Sequence, residues 1–171
     1  MGVQDGWRLC PRCGGELTRA DDALVCAACG SRYYANSAPT ASLLPVDDEG
    51  RVLLGRRAGE PDKGKWDALG GFLEEGEDPL DGLRRELREE TGLEVEPGAY
   101  LGTWIDVYGE GEGAQATLNL VWTGRVVGGE MAPADDVAEL RWFAADELPP
   151  PEECAFRCVA QMLSAWRQQQ A

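Results

Sequence analysis

The chain has no histidine and comparatively few cations. Its 171 residues include 16 lysines and arginines against 31 aspartates and glutamates, which gives a formal net charge of −15. Non-specific nucleic-acid binding needs clustered cations that displace counterions from phosphates, so this composition argues against such binding. The lack of histidine excludes a mixed cysteine–histidine zinc site. A protein this acidic must recruit metal cations if it acts on a phosphorylated substrate.

Long apolar runs are also absent. No stretch approaches the roughly 20 residues that a membrane span needs, so we expect no membrane partner. Residues 1–9 are mixed in character and carry Asp5 and Arg8, unlike a secretory signal. These features predict a cytoplasmic protein, and the reducing cytoplasm disfavours structural disulfides. The six cysteines therefore need another explanation.

The composition predicts one ordinary domain with a small module before it. Hydrophobic residues make up 43% of the chain, which is enough for a core. Residues 1–36 carry four charges of each sign, so the whole negative excess belongs to the rest of the chain. We predict a module over residues 1–36, a short connector over residues 37–40, and a main domain over residues 40–171.

Four of the cysteines form two Cys-x-x-Cys pairs within residues 1–36, namely Cys10, Cys13, Cys26 and Cys29. Each pair can present two thiolates to one metal ion, and four thiolates suit tetrahedral Zn²⁺. Disulfides or redox-active thiols are the alternatives. Such zinc would be structural, because four protein ligands leave no open position. Cys154 and Cys158, one helical turn apart, are interpreted as core residues.

The main domain alternates strand-like and helix-like segments. Apolar runs over residues 40–46 and 51–57 flank a turn and predict a hairpin. Further strands are predicted over residues 93–107, 117–127 and 139–143, and helices over residues 79–91 and 152–168. Asp78 is the expected cap of the first helix, Pro79 suits its first position, and Gly92 is its expected left-handed stop. This irregular alternation predicts a mixed α/β or α+β sandwich.

The helix predicted over residues 79–91 carries acidic residues on one face. At about 100° per residue, Glu86, Glu89 and Glu90 share an arc of about 100° beside a stripe of leucines. Gly82 lies inside that face, where a missing side chain lets another group approach closely. Like charges so placed repel, and Mg²⁺ or Mn²⁺ relieves the repulsion. The helix alone leaves two interpretations, a metal-binding face or a solvated acidic face.

The sequence around this helix resembles the Nudix box. That pattern is Gly, five residues, Glu, seven residues, Arg-Glu, an aliphatic residue, any residue, Glu-Glu, any residue, Gly and an aliphatic residue. Gly71 and Glu77 fill the first two fixed positions, and residues 85–93 read RELREETGL, so every fixed position is filled. The resemblance covers about residues 40–149. It implies an α+β fold, the Nudix α/β/α sandwich with a mixed sheet.

The resemblance also implies a site. Catalytic Mg²⁺ or Mn²⁺ would bind Glu86, Glu89, Glu90 and the main-chain carbonyl of Gly71. Two further residues of the box would support these ligands, namely Glu77 and Arg85. A metal-activated water would attack a phosphorus of a diphosphate linkage. The general base varies between Nudix subfamilies and is either a box glutamate or a glutamate on a later loop.

The later loop offers Glu110 and Glu112, whose alternative role is that of solvated loop acids. The predicted activity is hydrolysis of a diphosphate in a nucleoside diphosphate-linked small molecule, of dinucleotide or nucleotide-sugar type. The alternative is a non-catalytic nucleotide-sensing or regulatory module, which the complete box disfavours. Trp66, Trp104 and Tyr108 are candidates for stacking on a base, against the commoner role of core packing.

The cysteine module resembles the zinc ribbon that precedes the Nudix domain in NADH pyrophosphatase-like proteins. Its neutral charge favours packing or homodimerisation over nucleic-acid binding. The main domain departs from NADH pyrophosphatases, because residues 109–122 contain Gln115 but neither a Ser-Gln pair nor a proline. It also has Leu69 where many relatives have the proline of Pro-Gly-Gly.

Overall fold

The computed structural model describes residue 4 and residues 6–170; residues 1–3, 5 and 171 of the two predicted units lie outside that description. The elements in chain order are β1 Leu17–Ala20, β2 Ala23–Cys26, β3 Arg32–Tyr34, β4 Ala38–Pro45, β5 Val52–Arg57, β6 Trp66–Asp67, β7 Leu69–Phe72, α1 Pro79–Thr91, β8 Leu93–Tyr108, β9 Gln115–Gly129, β10 Val137–Phe143 and α2 Arg157–Gln169. Short 3₁₀ turns cover Gly111–Gly113 and Pro151–Glu153. Within the described part, no helix has the length and hydropathy of a membrane span.

Three small strands build the cysteine module, and two larger sheets build the rest. In the module, β1, β2 and β3 pair antiparallel in that order. A mixed four-stranded sheet has the order β7-β4-β9-β8, in which β4 and β9 are parallel and the other pairs are antiparallel. A three-stranded sheet has the order β10-β5-β6 and is antiparallel.

Two separate cores lie on opposite faces of β4 and β5, because successive side chains of a strand point to opposite faces. Leu43 and Leu53 pack in the core that contains Leu83 and Leu87 of α1. Their neighbours Leu44, Val52 and Leu54 pack instead with α2, around the fully buried Trp166. The predicted α+β sandwich with a mixed sheet is therefore confirmed.

The predicted hairpin of residues 40–46 and 51–57 is wrong. One antiparallel bridge joins Val46 to Val52 beside the turn, and then the strands separate into different sheets. Both β4 and β5 are almost continuously buried. Strands covered on both faces lie inside a sheet. Accordingly, β4 pairs with β7 and β9, and β5 pairs with β10 and β6.

The second helix begins later than predicted. Cys154 bridges to Trp66, and the Ala155 N–H donates to the Trp66 carbonyl at 2.8 Å. These contacts hold residues 154 and 155 extended against β6, so α2 starts only at Arg157. Cys154 and Cys158 are both buried in the α2 core, as the sequence predicts.

Candidate functional site

Helix α1 begins and ends as its sequence predicts. The Asp78 carboxylate accepts a hydrogen bond from the Leu80 N–H at 2.9 Å, and Pro79 occupies the first turn. At the other end, Gly92 adopts a left-handed φ of 69° and its N–H donates to the Arg88 carbonyl. Leu83 and Leu87 of α1 are fully buried, and their burial determines in which direction the acidic face of the helix points.

The three predicted ligand carboxylates do not share one environment. Glu86 and Glu90 line a cavity together with Gly71. Glu89 lies farther out, with its side chain 53% exposed and its carboxylate 3.3 Å from Arg85. The structure therefore places two of the three carboxylates in the cavity lining and the third outside it.

Arg85 ties the box glutamates together. Its guanidinium donates to both Glu77 oxygens at 2.8 and 2.9 Å, to Glu86 at 2.8 Å, and to the Phe72 carbonyl at 3.2 Å. The hydrogen bonds from Arg85, together with the Glu74 N–H, lower the pKa of Glu77 to about 2. Glu77 and Arg85 do not line the cavity. Through its hydrogen bonds, Arg85 holds Glu86 and Glu89 in position on the acidic face.

Gly71 and Gly82 allow this close packing. A Cβ atom on Gly71 would lie 2.6 Å from the Glu86 carboxyl carbon. A Cβ on Gly82 would lie 2.5 Å from a Leu73 methyl carbon and 2.7 Å from a Glu77 oxygen. The close approach predicted at Gly82 is therefore made by Leu73 and Glu77.

Gly71→Ala should displace the Glu86 carboxylate and lower turnover by about 100-fold, since a misplacement of about 1 Å is this costly in an active site. The matched control is Gly59→Ala, because a Cβ there meets nothing within 4 Å. Steady-state kinetics of both variants check this expectation. Equal activity in the two variants would contradict it.

Burial makes ionisation of the cavity glutamates costly. Glu90 is only 6% exposed, and burial raises its pKa well above the usual range, although the Gly70 N–H donates to it at 3.0 Å. Burial also raises the pKa of Glu86, against the opposing effect of Arg85. Neighbouring acids, among them Asp136, raise both values further. A bound cation would favour the charged form of each carboxylate.

The cavity has a volume of about 210 Å³ and is strongly acidic. Six of its described lining residues are acidic and one, Arg57, is basic. Sequence reasoning missed four of the acids, Asp67, Asp106, Asp135 and Asp136. They come from β6, β8 and the segment before β10, and no short sequence pattern links these places. Phosphate groups can enter such a cavity only together with cations.

Arg57 connects the cavity to the loop of residues 58–65. Its guanidinium donates to the Pro61 carbonyl at 2.7 Å and to Asp67 at 3.1 Å. The Arg57 guanidinium lowers the pKa of Asp67, but the burial of Asp67 has the larger effect and raises its pKa to about 6. The guanidinium also lies 5.8 Å from the Tyr108 ring centroid and 5.3 Å from that of Phe156.

Three aromatic side chains form one wall of the cavity. Tyr108 lies 5.3 Å from Phe72 in an edge-to-face arrangement and 5.7 Å from Phe156 at a tilt of 35°, measured between ring centroids. Of the stacking candidates, Trp66 is instead buried against Phe143, and Trp104 packs beside the α2 core. Phe72 follows Gly71 directly, a position from which sequence reasoning could have identified it.

Part of the cavity lining is polar and uncharged, namely Thr40, Ser42, Thr117 and Asn119. Asn119 accepts from the Thr40 hydroxyl at 2.9 Å and donates to Thr117 at 3.0 Å and to the Trp104 carbonyl at 3.1 Å. Thr40 and Asn119 are directly paired across β4 and β9. These partners hold the Asn119 amide in a fixed orientation.

Asp106 connects the cavity wall to α2. Its carboxylate accepts from the Cys158 N–H at 2.7 Å, in the first turn of the helix, and from the Val107 N–H at 2.9 Å. A carboxylate from another element thus satisfies a donor at the helix N-terminus. Glu110 does not line the cavity but an adjacent groove, beside Lys63. The Glu112 side chain lies outside the described part of the structure.

The four ribbon cysteines converge on one point. Their sulfur atoms all lie within 4.8 Å of one another, with 3.8 Å between Cys10 and Cys29 and 3.5 Å between Cys13 and Cys26. After each pair, a glycine with positive φ turns the chain so that its N–H donates to the first cysteine's carbonyl, at Gly14 and Gly30. All six cysteines are free. This arrangement is compatible with a zinc ribbon.

The comparisons with known proteins agree with this geometry. The NUDIX domain family model matches residues 36–161, and the chain belongs to the Nudix hydrolase family. Among solved structures, it is similar to a Nudix hydrolase from Nitrosomonas europaea, with a TM-score of 0.79 and 26% identity over 96% of this chain and 92% of that one.

The chain is also similar to curated proteins of the same name from two organisms. The chain is 30% identical over 165 residues to an NAD-capped RNA hydrolase of Stutzerimonas stutzeri, covering 94% of this chain and 57% of that protein. It is 31% identical over 148 residues to an NAD-capped RNA hydrolase of Pseudomonas aeruginosa, covering 84% of this chain and 50% of that protein. The chain therefore spans about half the length of these curated relatives.

Proposed function

We propose that the protein is a divalent-metal-dependent pyrophosphohydrolase that cleaves a diphosphate linkage in a nucleoside diphosphate-linked small molecule. The observation that carries this proposal is the shared cavity, in which box carboxylates from α1 face an aromatic wall from β7, β8 and the segment before α2. The carboxylates would bind the metal ions that hold the phosphates, and the aromatic wall would stack on a nucleobase.

Glu86, Glu89, Glu90 and the Gly71 carbonyl would hold Mg²⁺ or Mn²⁺. Carboxylate and carbonyl oxygens are the ligands these hard cations prefer. The place that a Cβ of Gly71 would need is filled by the Glu86 carboxylate, which fits a site where both residues serve one ion. The bound cation would neutralise phosphate charge and lower the pKa of a water molecule. Glu77 and Arg85 would hold Glu86 and Glu89 in position.

The organic part of the substrate would lie against Phe72, Tyr108 and Phe156. Aromatic rings bind the flat faces of bases with little regard to sequence or exocyclic groups. The fixed amide of Asn119 and the hydroxyls beside it would meet the polar edge of the base or sugar. In this arrangement the diphosphate would lie between the wall and α1.

A small molecule is favoured over an RNA end. The chain carries a net charge of −15, its cavity is acidic, and residues 1–36 are neutral. An RNA chain would add phosphates that this surface repels. In this proposal the four cysteines hold structural zinc, and residues 1–36 pack or dimerise rather than bind nucleic acid.

A substrate panel tests the proposal. We expect nucleoside monophosphate to be released, with Mg²⁺ or Mn²⁺ present, from at least one of NAD⁺, NADH, ADP-ribose, a UDP-sugar or a dinucleoside polyphosphate. An NAD-capped RNA is included as the competing arm. Preference for the capped RNA would contradict the small-molecule assignment. Tight binding without any product would favour the alternative, a non-catalytic nucleotide-sensing module.

A further inference from the structure

Two hydroxyl groups lie against the four-cysteine cluster, one beside each Cys-x-x-Cys pair. The Tyr33 hydroxyl is 3.1 Å from the Cys10 sulfur. The Ser31 hydroxyl is 3.2 Å from the Cys29 sulfur. Both residues follow the second pair, and neither carries an obvious sequence signal for metal binding.

The strand geometry presents these two hydroxyls together. Ser31 directly precedes β3, and its carbonyl accepts from the Cys26 N–H at 2.9 Å, so the extended backbone continues to it. Residues two apart on an extended backbone point to the same face, so Ser31 and Tyr33 face the cysteines while Arg32 and Tyr34 face away. The burial pattern agrees, since Ser31 and Tyr33 are half-buried and the other two are exposed. The Tyr33 ring is also packed edge-to-face on Trp7, with 6.1 Å between the ring centroids.

Only one direction of hydrogen bonding is open once zinc is bound. Cysteine ligates zinc as the thiolate, which has no proton to donate. The hydroxyls must therefore donate, and the sulfurs accept. Four thiolates and one Zn²⁺ leave two surplus negative charges, and a donor on each of two sulfurs disperses them.

We propose that Tyr33 and Ser31 are positioning residues of the zinc site, which strengthen zinc binding by donating hydrogen bonds to the Cys10 and Cys29 thiolates. This inference rests on the proposed four-cysteine zinc site. It is independent of the hydrolytic activity, because both residues lie in the module that precedes the Nudix domain. The hydroxyls touch sulfur rather than the metal, so they act through the ligands.

Tyr33→Phe in the full-length protein is the main test. It removes one hydroxyl and keeps the ring that packs on Trp7. We expect zinc affinity, measured by competition with a chromogenic chelator, to fall by about 10- to 100-fold. In the Co²⁺-substituted protein, the sulfur-to-cobalt charge-transfer bands should move to longer wavelength, because a thiolate that loses its donor gives up charge more easily.

The neighbouring Tyr34→Phe is the matched control, since Tyr34 lies on the same strand with its side chain turned away. It should keep both the wild-type affinity and the wild-type cobalt spectrum. Ser31→Ala provides a second test, with smaller side-chain loss, and should shift the cobalt bands in the same direction as Tyr33→Phe.

Unchanged cobalt bands in Tyr33→Phe and Ser31→Ala would overturn the inference, and so would equal losses of affinity in Tyr33→Phe and Tyr34→Phe. A wild-type protein that binds no zinc would overturn the four-cysteine site itself. The latter result is distinguishable, because it appears before any variant is made, and the substrate panel is read out separately.

Discussion

Glu90→Gln should lower turnover by about 100-fold or more, because the variant removes a carboxylate proposed to bind the catalytic metal, and metal catalysis is worth several kcal/mol. The protein should meanwhile keep or gain thermal stability. Glutamine retains the shape and can still accept from the Gly70 N–H, and it removes a carboxylate whose burial disfavours the charged form. Steady-state kinetics and a thermal melt of the same preparation measure both effects.

Asp81→Asn is the control for this variant. It also removes an acid from α1, but Asp81 is exposed and paired with Arg84, away from the cavity. Its turnover should stay within about twofold of wild type, as for a surface substitution. If Glu90→Gln kept activity within about threefold of wild type, its assignment as a metal ligand would have to be given up.

Cys26→Ser should abolish the retention of one equivalent of zinc and lower the thermal stability of the protein. A module of about thirty residues cannot bury a stable core by itself, so with the proposed zinc site its folding would depend on the metal. Cys26 is also buried among the module's few apolar residues. Zinc content after mild chelation, and the melting curve, measure the two effects.

Turnover should remain measurable in Cys26→Ser, because Glu77, Glu86, Glu89 and Glu90 lie outside the module. Cys154→Ala serves as the control, since it removes a thiol from the α2 core and should leave zinc stoichiometric. Unchanged zinc content and melting temperature in Cys26→Ser would refute a structural zinc site. Disulfides in protein prepared under reducing conditions would do the same.

The sequence predicts those parts of the molecule that depend on local periodicity. The bounds of α1, its Asp78 cap and its Gly92 terminus agree with the structure, because each depends on residues within one helix. The two Cys-x-x-Cys pairs converge for a similar reason, since two tight turns and one hairpin bring them together.

Features that depend on distant pairing were harder to predict. The separation of β4 and β5 into different sheets follows from the pairing of β4 with β9, which lies 79 residues away, and of β5 with β10, which is also far along the chain. Asp67, Asp106, Asp136 and Phe156 reach one cavity from separate elements, and each looks like an ordinary strand-end or loop residue in the sequence. The exposed position of Glu89 likewise depends on which elements cover the helix. The 3.6-residue period groups the carboxylates on one face but does not predict which of them is covered.

The parallel pairing of β4 with β9 has a consequence for the order of folding during synthesis. The β4–β9 pair cannot form until Asn119, the partner of Thr40, has been synthesised. All residues of the cysteine cluster, in contrast, have been synthesised by residue 34. Pairing between such distant segments makes folding slow and leaves apolar strands exposed meanwhile. We therefore expect the nascent chain to bind zinc early in synthesis. The apolar strand β4 would remain unpaired and accessible to chaperones until β9 has been synthesised.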